Sequence, residues 1–347
     1  APGWVFAGWG GDVLGTDPVV SVVMDAARTV TATFTSVDGP AITVWYGDEQ
    51  TYRRAQKWIN ILGHVADPQG VEGVTYSLDG GAPVPLALGP DLRRLYGAGD
   101  FNVEIPYDSV IPGPHTVEIV ARDTTGALSA RTVKFNKVAD PLGLPHTVRW
   151  ADSTNPADLA QVVDGYWKSS TAGLEIVESG YDRTIAIGDT TWTDYEVEVP
   201  VTVWGHTPGA GTPQSGEPLV GLGLHWQGHT ARRSESPAVG FYPTGAFAWY
   251  RWQSGGRYEL VGNDGSPLSR EGGTLQFGTP YIMKARAMTV PGGIQYSYKW
   301  WLDGAAEPPG WALTLLEDAG PTTGSVLLIA HHVDATFGDV TVRPLVP

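Results

Sequence analysis

The chain has 347 residues, among them 45 Gly, 27 Pro and no Cys, and carries a net charge of −15. That length holds two or three domains, and the missing cysteine excludes disulfides and thiolate chemistry, leaving any metal to oxygen or imidazole ligands. The charge excludes nucleic acid, which needs a basic stripe, and an anionic membrane surface, while no apolar run is long enough for membrane insertion.

Short apolar runs rich in Val, Thr, Tyr and Trp between tight turns predict an all-β chain. Residues 3–34 read as three strands, broken by a Gly/Asp turn and by a turn at 25–28. From about 37 to 139, alternation predicts strands at 61–65, 74–78, 101–105, 116–121 and 130–135. The turns between them are explicit, as at Asp67-Pro68-Gln69-Gly70 and Asp79-Gly80-Gly81. The run Asp140-Pro141-Leu142-Gly143-Leu144-Pro145 then marks a connection. Beyond it, strands are expected at 176–178, 184–187, 195–203, 219–226, 238–242, 246–252, 258–262, 281–288, 294–302, 325–330 and 336–342. Only 50–59 (QTYRRAQKWI) and 157–164 (ADLAQVVD) have a helical cast.

Ten of the 14 Trp fall after residue 140, which makes this last segment the place to look for a site. In a strand over 246–252, Trp249 and Arg251 share one face and Tyr250 and Trp252 the other, so a ring looks away from the core whichever face is inward. By the same alternation Leu222, Leu224 and Trp226 share a face, with His225 opposite, and Tyr298 and Trp300 point inward, with Lys299 and Trp301 outward. Rings beside Arg and His suit sugars, which offer C–H faces and hydroxyls. The candidate carbohydrate-binding residues are therefore His225, Trp249, Tyr250, Arg251, Trp252 and Trp301. Packing of these same rings in a large sandwich core stays an open alternative.

Asp194, Glu196 and Glu198 alternate along one strand and share a face, and paired carboxylates are what glycoside hydrolysis needs. Tyr195, Val197, Val199 and Val201 form an apolar opposite face, so the acids equally read as a solvated side, and no catalytic residue is assigned beyond the weak candidates Glu196 and Glu198. His331 and His332 are adjacent on a strand and point apart, which disfavours a shared metal; one of them joining His225 at a polar site is the alternative. No phosphate loop and no G-x-S-x-G elbow occurs.

Each of the three segments carries a family resemblance. GWVFAGWGGD followed by MDAARTVTATF resembles the second half of a divergent internalin-type B repeat, with Trp4, Phe6, Trp9, Gly11, Asp12, Met24, Asp25 and Phe34 on the pattern. HTVEIVARDTTGALSARTVKF looks like the last hairpin of a bacterial immunoglobulin-like domain. IGDTTWTDYEVEVPVTV, YSYKWWLDGAAEPPGW and GSVLLIAHHVDATFGDVTV resemble a laminin-G-like or concanavalin-A-like jelly roll.

These resemblances imply a partial repeat over 1–36, an immunoglobulin-like domain over 37–139 and a jelly roll over 140–347. They imply a secreted or cell-surface bacterial protein with further domains upstream as partners. The jelly-roll family often holds a structural Ca²⁺, for which Asp182, Asp189, Asp334 and Asp339 are the acidic loop candidates; no other cofactor is required. The expected function is a non-catalytic extracellular region that binds a polysaccharide or other glycan. A polysaccharide hydrolase or lyase, and a structural link of an adhesin or fibre, are the alternatives.

Overall fold

The computed structural model describes residues 4–36, 38–207, 216–231, 236–252, 255–266 and 268–345. Among them the fold is all-β: an immunoglobulin-like sandwich followed by a concanavalin-A-like jelly roll, preceded by a short β-ribbon. The ribbon pairs Trp4–Gly11 with Val30–Ser36. The expected middle strand is absent; the chain between them makes one bridge, from Gly15 to Trp9. Trp4, Val5, Leu14, Val19, Val23, Met24 and Phe34 are exposed, and no described ribbon side chain joins a core.

The immunoglobulin-like sandwich packs a sheet of five strands against one of three. Val117, Ile119, Ala121, Val133 and Phe135 meet Ile59, Ile61, Phe101, Val103 and Ile105 between them. Alternate positions of Gly113–Asp123 are buried, as the period of two requires. Residues 50–59, given a helical cast above, instead form the strand Glu49–Tyr52 and the start of Trp58–Ala66. Tyr52 packs edge-on against Phe135, so tertiary burial overrides the local helical pattern. No strand crosses 140–145.

The jelly roll has a front sheet of seven strands, in the order Gln161–Asp164, Arg183–Ile187, Ser325–His331, Leu219–Trp226, Ala246–Arg251, Arg257–Val261 and Leu268–Gly272. The back sheet of nine is centred on Tyr195–His206, flanked by Val333–Phe337 and Pro280–Val290. Tyr195, Val197, Val199, Val201 and Val203 all point inward, where β-branched side chains fill the space between sheets. The second helical expectation also fails: 157–164 holds one 3-10 turn, Pro156–Asp158, then the strand Gln161–Asp164. The strand expected at 238–242 is only a bridge between Gly240 and Thr230.

The two sandwiches share a closely bonded interface. Tyr46 Oη donates to the Gly165 carbonyl and accepts from the Trp167 N–H, and Ser325 Oγ donates to the Ala55 carbonyl. Trp58 Nε1 donates to the His229 carbonyl. Arg94, fully buried, donates to Asp164, Glu104 and the carbonyls of Val163 and Ala238. Asp164 also pairs with Arg183 at 3.3 Å. Burying a guanidinium is tolerable because its donors are met by fixed acceptors. The immunoglobulin-like sandwich thus covers the Gln161–Asp164 edge of the front sheet and the Trp226/Ser325 end. The other end, where Leu219, Arg251 and His331 are neighbours, lies beyond these contacts.

Candidate functional site

Two features meet at that free end. The first is an aromatic patch. Tyr195–His206 runs the length of the back sheet, and its register shifts after Val203 opposite Asp334. Trp204, outward by the strand's own alternation and just before that shift, is 55% exposed, with its Nε1 donating to Thr336 Oγ1. Phe277, on the loop before Pro280–Val290, is 47% exposed. His206 lies edge-on to both Trp252 and Phe277, at ring centroid distances of 4.9 and 5.1 Å. Trp252 and Phe277 lie 5.7 Å apart at a shallow 31°, so they form a nearly continuous surface. Desolvation by these rings lowers the His206 pKa, against the pull of Glu217. The imidazole is therefore mostly neutral at pH 7 and free to hydrogen-bond a hydroxyl.

The second feature is a cleft of about 300 Å³ on the outer face of the front sheet, back to back with the patch. Its floor is Leu219, Phe247, Trp249 and Ile329; Phe241, Tyr242 and Tyr181 form its walls, and Glu217, Arg251, Asp182 and His331 supply polar groups. His331 Nδ1 and Asp182 Oδ1 are 2.7 Å apart. Arg251 and Trp252 are consecutive and point to opposite sides of the sheet, one into the cleft and one toward the patch.

The sequence-derived candidates divide accordingly. Trp249 and Arg251 do share the outer face, and Tyr250 and Trp252 the inner. Tyr250 is buried between the sheets against Tyr258 and so leaves the binding set. Trp249 is nearly buried: Phe247 stacks on it at 4.8 Å and 14°, and the Arg251 guanidinium lies over it at 5.2 Å, so its edge rather than its face meets the cleft.

His225 is a clear correction. A bulge between Gly223 and Trp226, with His225 at φ +49°, reverses the alternation. Trp226 consequently faces outward beneath Phe241, while His225 points inward to Tyr296 Oη at 2.8 Å. Burial lowers its pKa to about 4. His225 lies at the Ser325 end of the front sheet and His331 at the other, so they form no joint site. Nor do His331 and His332 point apart: His332 sits at φ +52°, which brings the two rings edge-to-face at 4.5 Å. Trp301 is half-buried on the outer face of the back sheet, 5.9 Å from Lys299 Nζ, and Trp300 stacks on Tyr258.

Glu196 and Glu198 do share a face, but Lys284 Nζ sits between them at 3.2 and 3.3 Å and also bonds Glu307. Burial opposes the Lys284 charge, yet the bonds to Glu307 and Glu196 prevail and raise its pKa. Two carboxylates clamped on an ammonium cannot act as acid and nucleophile across a sugar. Asp194 stands before the strand at φ +37° and accepts from the Thr289 N–H.

The four calcium candidates are dispersed. Asp182 bonds His331, Asp189 accepts from the Leu142 and Thr191 N–H groups, Asp339 accepts from the Trp150 N–H, and Asp334 lies across from Gly205. Among the described residues no three His, Asp or Glu gather as a metal would require. Asp182, Asp189 and Asp339 are occupied by these bonds and Asp334 stands apart from them, a geometry that does not fit the ion. Among the same residues, no helix is long and apolar enough to cross a membrane.

Sequence reading missed Trp204, Phe277 and His206. Trp204 carried a signal: its parity in 195–206 places it opposite the valines, on the outer face.

No protein-family model matches the chain, and no curated protein matches it. Among solved structures, the VIP36 exoplasmic/lumenal domain in its Ca²⁺/Man-bound form is similar over 59% of this chain and 92% of that one, at 12% identity and a TM-score of 0.37. A mutant of the GH43 protein BlXynB from Bacillus licheniformis covers 91% of this chain and 68% of its own, at 12% identity and 0.36. For the endo-beta-1,4-mannanase from Thermotoga petrophila the figures are 29%, 20%, 12% and 0.23, so this chain spans about a fifth of that protein. What the free end can do follows from its own side chains.

Proposed function

We propose that this chain is a non-catalytic, carbohydrate-binding region of a secreted bacterial protein, and that its jelly roll holds a polysaccharide across the aromatic patch at its free end. The observation that carries this reading is the exposure of Phe277 against Trp252 and His206, with exposed Trp204 next to Gly278 at the same end of the sheet. Large rings clustered in solvent are costly unless something stacks on them, and sugar C–H faces suit such a surface. Neutral His206 supplies a hydrogen-bonding group at its centre. The lysine clamped by Glu196 and Glu198 supports a binding role over a hydrolytic one. In this reading the ribbon and the immunoglobulin-like sandwich are separate domains that present the jelly roll away from the rest of the protein.

The test is a panel of plant, fungal and bacterial polysaccharides titrated against the chain and its Trp204→Ala and Phe277→Ala variants. Binding weakened roughly tenfold in each variant, about 1.4 kcal/mol, is the expected result. Equal binding by all three proteins would remove the patch from the function. The exposed apolar ribbon favours a second reading, a link in an extracellular assembly. Concentration-dependent self-association in sedimentation, lost in a Trp4→Ser, Met24→Ser double variant, would support it.

A further inference from the structure

The patch suits sugar rings in general, whereas the cleft behind it carries a charge that selects among them. Phe247, Trp249 and Arg251 stand in a row on the outer face of their strand, rings stacked and guanidinium over the indole at 5.2 Å. A guanidinium held this way is ordinarily completed by a carboxylate. Glu259 is the one carboxylate within ion-pair distance of it among the described residues, and Glu259 is engaged elsewhere. Its Oε1 accepts from Arg257 Nε at 2.6 Å and its Oε2 from Trp249 Nε1 at 3.0 Å. Arg251 Nε stands 3.8 Å from Oε2, and this shielded atom makes no hydrogen bond.

One carboxylate therefore accepts from a guanidinium and an indole, and among the described residues the Arg251 fork is left without a full carboxylate partner. The cleft's own two acids, Asp182 and Glu217, do not engage that fork directly. Asp182 is bonded to His331, and Glu217 is not within ion-pair distance of Arg251. Arg251 is also fixed: the stack beneath it and Glu259 beside it hold the planar fork in place, 29% exposed at its side chain. A pre-positioned planar fork matches a carboxylate, which it grips with two parallel N–H bonds.

We propose that the cleft receives the carboxylate of a uronic acid unit, with Arg251 as the residue that recognises it, so that the ligand is an acidic polysaccharide. The proposal rests on the glycan reading of the adjacent patch. The net charge of −15 repels acidic polymers overall, so a preference for them must arise locally.

The experiment uses tetramers of galacturonic, glucuronic and mannuronic acid, each beside its carboxyl-reduced form, in which the acid has become a hydroxymethyl group. The expected result is that at least one acid form binds about tenfold or more tightly than its reduced partner, the scale of hydrogen bonds to a charged group. That ratio should fall toward one in Arg251→Gln, keep a part of its value in Arg251→Lys, and do so in variants whose thermal unfolding confirms the fold. Equal binding of acid and reduced forms by the native chain, or a ratio that survives Arg251→Gln, overturns the acid selectivity while leaving the glycan reading standing. Failure of both forms to bind, together with failure of all neutral polysaccharides, overturns that reading and this inference with it.

Discussion

Arg94→Met is the sharpest test of how the two sandwiches hold together. The substitution removes four hydrogen bonds, to Asp164 at 3.1 Å, Glu104 at 2.7 Å, Val163 at 2.8 Å and Ala238 at 2.6 Å. It keeps an apolar stem of similar length, so lost packing is small. Asp164 is left with Arg183 alone, and breaking one side of a buried pair costs about 3–5 kcal/mol.

The pH dependence adds a sign. Burial pushes the Asp164 carboxyl up, to about 8, against the pull of Arg94 and Arg183. The unfolded chain ionises this group near pH ~4, so its contribution to stability falls as pH rises from there toward 8. Without Arg94 the folded value rises further, and the deficit of the variant should widen between about pH 6 and about pH 9. Urea unfolding followed by tryptophan fluorescence measures it, and a second transition would show the sandwiches separating. A deficit below about 1 kcal/mol, or one equal at both pH values, refutes the argument.

His225 is buried neutral with its pKa lowered to about 4, so the unfolded chain takes up a proton near pH ~6.5 that the folded chain refuses. Stability should fall by roughly 3 kcal/mol on acidification from about pH 6.5 to about pH 4, and His225→Gln should flatten this slope in thermal melts. Trp204→Ala should change stability by less than about 1 kcal/mol, whereas Trp150→Ala, at a fully buried ring, should lose about 3–5 kcal/mol in the same urea experiment. Removing residues 1–36 should leave the melting temperature of the remainder unchanged, because no described ribbon residue reaches a core. A shift of several degrees would show that the ribbon docks.

The strands were legible because burial follows a period of two. Tyr195–His206 buries every second side chain as its valines announce, and Gly113–Asp123 does the same. What escaped reading was set by irregularity or by distant contact. At His225 a single bulge turns the strand over, and nothing in GLGLHW marks it, since the left-handed backbone falls on histidine rather than glycine. Residues 50–59 fold as strands because Tyr52 and Ile59 complete a core built from residues far along the chain. His206, Trp252 and Phe277 touch only because the two sheets meet, and Trp204 lies beside the turn that follows Phe277. Alternation did place Arg251 and Trp252 on opposite faces, and that split separates cleft from patch.

The central claim is that sugar stacks on the patch, and the indoles themselves can report it. With 5-fluorotryptophan incorporated throughout, single Trp→Phe variants assign the fluorine signals of the 14 tryptophans. Titration with a polysaccharide fragment that binds should move the Trp204 and Trp252 signals and leave those of buried Trp150, Trp167 and Trp226 in place. Binding that leaves Trp204 and Trp252 unmoved, or that shifts only other tryptophans, would contradict the account.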